Sequence, residues 1–305
     1  MIPQKAKRII LKFFSLFSAI RAYNILVLVC AQYLAAIFIF SPTKSLRDVV
    51  FDIHLFFLVL ASVFVIAGGY IINNFYDATV DKINRPLKAG LDNYVKQSTK
   101  LRLYFFLNFF GFCFGILISV RAALFFAVYI FAIWFYSHKL KKHPFIGVIS
   151  ATILTIQPFF AVFVYFENFS EIIFFYAVYL FLVIMVRELI KDLQNMRGAI
   201  VSNYSTLSLV YGERKTKQIA ILALLFTSIP IAVLFSYPAL SYMRYYFYFA
   251  LFVLVFVGFY LWKSKTIKHY RTLHNILKLL LLIGVLCLTF IDTSLLLDKV
   301  IDILN

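Results

Sequence analysis

The chain has 305 residues, 63% of them apolar and only 14% charged, with a mean hydropathy of +0.92 and a formal net charge of +17. A soluble globular chain is close to half apolar and a quarter charged, so this composition excludes a soluble enzyme, a disordered chain and a coiled coil. What remains is an all-α polytopic membrane protein. An outer-membrane barrel would alternate apolar and polar residues, and these runs do not.

Residues 1–20 carry Lys5, Lys7, Arg8 and Lys12 among Ile, Leu and Phe and read as a basic interfacial helix without the small-residue cleavage site of a signal peptide. Nine apolar spans follow, over 22–40, 53–73, 103–120, 122–136, 144–166, 171–189, 218–237, 245–262 and 275–297. Most have the ~20 residues a helix needs to cross the hydrocarbon. The fourth is short and is separated from the third only by Arg121. Gln157-Pro158 is a polar break in the fifth, either a packing kink or a contact for an acceptor headgroup. Cys30, Cys113 and Cys287 all lie inside apolar runs without metal spacing, and the five histidines show no zinc pattern.

Nine spans put alternate loops on opposite sides. One side then collects 25 Lys and Arg, and the other only Lys44, Arg47, Arg121, Arg244 and Lys299. The positive-inside rule places the N-terminus in the cytoplasm and the C-terminus outside, in a multi-pass protein of the inner (cytoplasmic) membrane. The positive charge is thus a matter of topology and attraction to anionic lipid, and no nucleic-acid partner is expected.

Topology does not account for the acids and amides set among those cations. Span two runs into Asn73-Asn74-Phe75-Tyr76-Asp77-Ala78-Thr79-Val80-Asp81-Lys82-Ile83-Asn84-Arg85-Pro86. Asn73, Asp77 and Asp81 are spaced i, i+4, i+8, and Asn74 stands three before Asp77, so helical geometry puts all four on or near one face. Two carboxylates one turn apart repel unless a cation lies between them. Hard oxygen ligands suit Mg²⁺, which bridges readily to phosphate oxygens. Arg85 and Lys82 are placed to hold the same phosphates, and Pro86 ends the helix.

This string resembles the Asn-Asp-x-x-Asp-x-x-x-Asp signature of the UbiA superfamily of intramembrane prenyltransferases, most of all the branch that alkylates geranylgeranylglycerol phosphate. Arg21-Ala22-Tyr23-Asn24, Tyr136-Ser137-His138-Lys139-Leu140-Lys141 and Arg187-Glu188-Leu189-Ile190-Lys191-Asp192 resemble further motifs of that family, and the likeness spans nearly the whole chain. The resemblance implies one transmembrane domain over 1–305, a bundle of nine helices around a central cavity open to lipid. It implies a prenyl diphosphate donor, a lipid-soluble or phospholipid-precursor acceptor, surrounding membrane lipids as partners, and Mg²⁺. On the matching positions, Asn74, Asp77, Asp81, Asp192 and Asn195 would hold the metal, and Asp77, Asp81, Asp192 and Lys191 would carry catalysis. Asn73, Arg85, Lys141, Arg187 and Tyr136 would meet the diphosphate and line the cavity, and Arg21 and Asn24 would lie near the acceptor.

The chain departs from the pattern twice. Asn74 stands where the family has an acid, and in Lys191-Asp192-Leu193-Gln194-Asn195-Met196-Arg197-Gly198-Ala199 the positions of two further acids hold Asn195 and Ala199. Three readings stay open: one Mg²⁺ helped by Lys191 or Arg197, a different donor, or a relative that binds prenyl diphosphate without turnover. A lipid-binding or transport protein is the rival from another class, although a transport site sits near the mid-membrane and these charges cluster at one face.

Overall fold

The computed structural model describes residues 4–291. Its helices are α1 (Gln4–Ala19), α2 (Ala22–Ala35), α3 (Leu46–Val50), α4 (Ile53–Tyr76), α5 (Ala78–Asn84), α6 (Pro86–Asp92), α7 (Gln97–Ile118), α8 (Val120–His138), α9 (Pro144–Phe166), α10 (Glu171–Val201), α11 (Leu207–Val210), α12 (Gly212–Phe235), α13 (Met243–Lys263) and α14 (Ile267–Cys287). Among the described residues no strand forms, and nine helices are long and apolar enough to cross a membrane.

Every expected span finds its helix, but the ends move. The third and seventh begin earlier than hydropathy suggests, at Gln97 and Gly212, because polar first turns continue the same helix. The ninth begins at Ile267, and its expected end at 297 falls outside the described residues, as does Lys299. Arg121 lies in the first turn of α8, just past the Ser119 cap that separates it from α7. Its partner across the same rim is Glu167.

Packing makes a ring. α4 packs on α7 and α8, α8 on α9, α9 on α10, and α10 on α12 and α14. α12 then meets α13 and α13 meets α14, while α2 touches both α14 and α4 and closes the circuit. Rows of Phe and Val point outward from these helices, among them Phe105, Phe109, Phe131, Phe252 and Phe259. Such a surface suits hydrocarbon and not water.

Polar groups inside tie the helices together at the break in α9. Pro158 lacks an N–H, so the carbonyl of Leu154 loses its helical donor, and the Tyr129 hydroxyl donates to it at 2.9 Å. Gln32 Nε2 donates to the carbonyl of Pro158 at 3.0 Å and to Ser62 at 2.9 Å, tying α2, α4 and α9 together. The polar break in α9 is therefore built into helix packing. α4 and α10 are the most buried of the spans. α10 has 31 residues, about 46 Å of helix, against ~30 Å of hydrocarbon. Both helices carry their polar motif past the end of the apolar core.

Candidate functional site

The α4 helix kinks at Asp77 (φ −89°, ψ 7°) and resumes as α5. The ladder survives the kink: Asp77 N–H donates to Asn73 O at 2.9 Å, Asp81 N–H to Asp77 O at 2.8 Å, and Arg85 N–H to Asp81 O at 2.8 Å. Asn73, Asp77, Asp81 and Arg85 thus keep their helical stacking up to Pro86. That proline ends α5 by starting α6, where its missing N–H costs nothing.

Asp77 is the hub. Its Oδ1 accepts from Lys141 Nζ at 2.6 Å and from the Tyr204 hydroxyl at 3.4 Å. Lys141 projects from the turn after α8, and its ammonium lies 5.7 Å above the Tyr76 ring and 5.9 Å above the Tyr204 ring. Burial and the Asp77 carboxylate push the Tyr204 phenol well above its ordinary pKa, so it remains a hydrogen-bond donor. Tyr204 belongs to Asn203-Tyr204-Ser205-Thr206-Leu207, a run that resembles the family's pattern, but nothing in that run assigns it a role at the site. It reaches the site because Asn203 turns through the left-handed region (φ 53°) after α10, and Ser205 N–H then pins the loop to Lys142 O at 2.9 Å.

The second motif meets the first through α5. Asn84 Nδ2 donates to the carbonyl of Asn195 at 3.3 Å, and Gly198 N–H donates to Asn84 Oδ1 at 3.1 Å. Asp192 accepts the Ser208 N–H at 2.8 Å and so caps α11. Ala199 is buried, and Arg197 points to the exterior. Asp192 is the one carboxylate this motif contributes. Arg187 and Lys191 are not free cations: Glu188, itself buried, accepts from Lys191 at 2.6 Å and pairs with Arg187 at 3.5 Å. Tyr136 stands in the last turn of α8, partly buried, five residues before Lys141.

Arg21 and Asn24 share one partner. The Arg21 guanidinium lies 5.0 Å above the Tyr70 ring, and Asn24 Nδ2 donates to the Tyr70 hydroxyl at 3.3 Å. Tyr70 stands on α4 two turns before Asp77, so this corner flanks the acidic face. Burial together with the nearby Arg21 charge lowers the pKa of both Arg85 and Lys88, a concentration of positive charge offset by Asp81.

One expected ligand points elsewhere. Helical spacing places Asn74 near the face of Asp77, but its amide is committed to Asp92 (2.7 Å) and Lys100 (2.8 Å) in a buried network. The acidic face therefore consists of Asn73, Asp77 and Asp81, while Asp192 is carried by α10, which packs on α5. Among the described residues no three His, Cys, Asp or Glu side chains group closely enough to hold a metal by themselves. Such a donor set fits a hard cation that keeps waters and takes other oxygens from phosphate. Clefts at the opposite end, around Arg121, Tyr165 and Glu167, lie apart from these groups.

Residues 33–283 match the UbiA prenyltransferase family. A digeranylgeranylglyceryl phosphate synthase of Thermococcus gammatolerans is 33% identical over 156 residues, 50% of this chain and 55% of the relative, so the match spans about half of that relative's length. A solved structure of a digeranylgeranylglyceryl phosphate synthase aligns with a TM-score of 0.70 at 18% identity, covering 92% of this chain and 99% of that one. A UbiA homologue of Archaeoglobus fulgidus, solved with GPP and Mg²⁺, aligns with a TM-score of 0.65 at 13% identity, covering 90% and 99%. At such identities the structural likeness is one of fold.

Proposed function

The chain belongs to the UbiA prenyltransferase family, and from that premise we propose that it moves a prenyl group from a prenyl diphosphate to a lipid acceptor at the cytoplasmic face of the membrane. The acceptor proposed is a glycerol-phosphate lipid, the substrate class that the names of its sequence relatives indicate. The allylic C–O bond breaks with its electron pair leaving on the diphosphate. An acceptor hydroxyl forms the new C–O bond and gives up its proton to the departing diphosphate.

The observation that carries this reading is the meeting at Asp77 of a carboxylate, the Lys141 ammonium and the Tyr204 hydroxyl, contributed by three separate elements. It sits where the two most buried helices leave the apolar core. Mg²⁺ held by Asp77 and Asp81, with Asn73 and Asp192 as further oxygen donors, would neutralise charge on the leaving diphosphate, an effect worth several kcal/mol. Lys141 balances Asp77 in the resting protein and is placed to turn to phosphate once Asp77 has another cation. Arg85 supplies permanent positive charge beside Asp81. Tyr204 donates to Asp77 or to a phosphate oxygen from the same position. Tyr136, in the last turn of α8 before Lys141, would offer a π-face to an allylic cation.

The positive-inside count supports a cytoplasmic N-terminus, with α1 as an interfacial helix packed on α6. The second motif's depletion to Asp192 supports a second reading, a relative that binds prenyl diphosphate without turning it over. Diphosphate release from geranylgeranyl diphosphate, acceptor and Mg²⁺ separates the two. Turnover is expected in the wild type, and Asp77→Ala should lower it at least about 100-fold, roughly 2.7 kcal/mol of barrier. A variant within about threefold of wild type, ~0.65 kcal/mol, would remove Asp77 from the site.

A further inference from the structure

We infer that Asn74, Asp92 and Lys100 form a closed, charge-balanced strut that positions the acidic face, and that the asparagine at 74 is matched to Asp92 and is not a weakened metal ligand. The inference rests on the prenyl diphosphate reading only for what the acidic face binds.

The three groups come from three elements: the last turn of α4, the end of α6 and the first turn of α7. All are buried, Asn74 at 6%, Asp92 at 3% and Lys100 at 2% exposure. Lys100 Nζ donates to Asn74 Oδ1 at 2.8 Å, and Asn74 Nδ2 donates to Asp92 Oδ2 at 2.7 Å. An amide can do both, accepting from an ammonium at one end and donating to a carboxylate at the other, whereas an ionised carboxylate only accepts. Asp92 depends on that donor. Its other oxygen is buried without a hydrogen-bond partner, and its further cation, Lys88, stands 3.8 Å away and is partly exposed.

A carboxylate at 74 could not donate to Asp92. It would set two buried acids in contact around one lysine, and one of them would have to take a proton or move. The residue therefore answers to Asp92. The strut also fixes orientation. Asn74 stands three residues before Asp77, at the last full turn before the kink, so anchoring it to α6 and α7 sets the direction in which Asp77 and Asp81 leave the bundle. Residues 92 and 100 are thus positioning residues that act through α4.

The test exchanges the two polar groups. In the double variant Asn74→Asp/Asp92→Asn the amide now at position 92 donates to the carboxylate now at position 74. Lys100 pairs directly with that carboxylate, so charge and bonding are both preserved. Purified wild type, Asn74→Asp and the exchanged variant are compared in detergent by thermal midpoint and by binding of geranyl diphosphate across a Mg²⁺ titration, at a temperature where all three are folded. Asn74→Asp should lower the midpoint and weaken binding at least about tenfold, a coupling of the size expected for groups in one network. The exchanged variant should recover both, with the wild-type half-saturating Mg²⁺. If Asn74→Asp alone lowers the Mg²⁺ required, residue 74 reaches the cation and the inference fails. It fails equally if the exchanged variant is no better than the single one. A wild type that binds no geranyl diphosphate would count against the donor reading, while the recovery or further loss of the thermal midpoint would still decide for or against the strut.

Discussion

Gly198 is where the two motif-bearing helices close on one another, and adding one methyl there probes that closure. A Cβ at 198 would fall directly against Asn84 Nδ2, with Asn84 Cγ at 2.8 Å and Val80 Cγ1 at 2.9 Å. Asn84 would have to swing away and give up its bonds to Gly198 N–H and Asn195 O, at about 1 kcal/mol each. Val80 is β-branched and cannot turn aside without strain, which adds roughly 1 kcal/mol of overpacking. Replacing glycine in a helix returns about 1 kcal/mol. Gly198→Ala should therefore destabilise the protein by about 2 kcal/mol net and push α5, with Asp81, off α10. The assay is a thermal midpoint in detergent together with kcat/KM. Asn84→Ala in the same chain opens the space, so the double variant should be less destabilised than the sum of the singles. A Gly198→Ala protein of raised midpoint and full activity would refute the close approach of α5 and α10.

Charge and topology give two further tests. Burial and the nearby Arg21 hold the Arg85 pKa down. A cation whose folded pKa lies below its unfolded value costs stability at every pH below the folded value, neutral pH included. Arg85→Gln should thus raise the thermal midpoint by about 1–2 °C while weakening donor binding about tenfold. A lowered midpoint with unchanged affinity would show that Arg85 serves the fold and not the site. For topology, Lys44 and Lys96 are both exposed and lie in loops at opposite ends of α4. In otherwise unreactive protein, a cysteine from Lys96→Cys should be labelled only from the cytoplasmic side, and one from Lys44→Cys only from outside. Labelling of both from one side would overturn the orientation.

Much of this architecture is legible along the chain, and the rest is not, for a physical reason. Apolar length sets the spans, because a helix must cover the hydrocarbon whatever its neighbours do. Helical spacing sets the stack of Asn73, Asp77 and Asp81, since backbone geometry alone fixes it. What periodicity cannot show is which way a residue at the edge of a face will turn. Asn74 stands next to Asn73 in sequence, yet it turns to Lys100, 26 residues on. Asp77 likewise finds Lys141 and Tyr204 at separations of 64 and 127 residues. Lys141 and Tyr204 both stand in runs that resemble the family's, but only the left-handed turn at Asn203 shows that Tyr204 reaches Asp77. Asn84 stands in the Lys82-Ile83-Asn84-Arg85-Pro86 run that resembles the family's, but spacing cannot show its partners, a carbonyl and an N–H of another helix. The resemblance and their place beside Asp192 make Arg187 and Lys191 phosphate cations, and the edge of the apolar run already calls for a buried partner. The intervening Glu188 shows that part of that charge is already balanced within the protein.

The central claim is transfer of a prenyl group, and the product tests it most directly. Purified protein in detergent or lipid would be incubated with isotope-labelled geranylgeranyl diphosphate, a geranylgeranylglycerol phosphate acceptor and Mg²⁺, and the lipids analysed by mass spectrometry. The account predicts an ether lipid carrying the labelled prenyl group, formed one for one with released diphosphate and lost on chelation of the metal or in Asp77→Ala. Saturable Mg²⁺-dependent binding of the donor with neither labelled lipid nor released diphosphate would contradict it, and would make the protein a prenyl diphosphate binder.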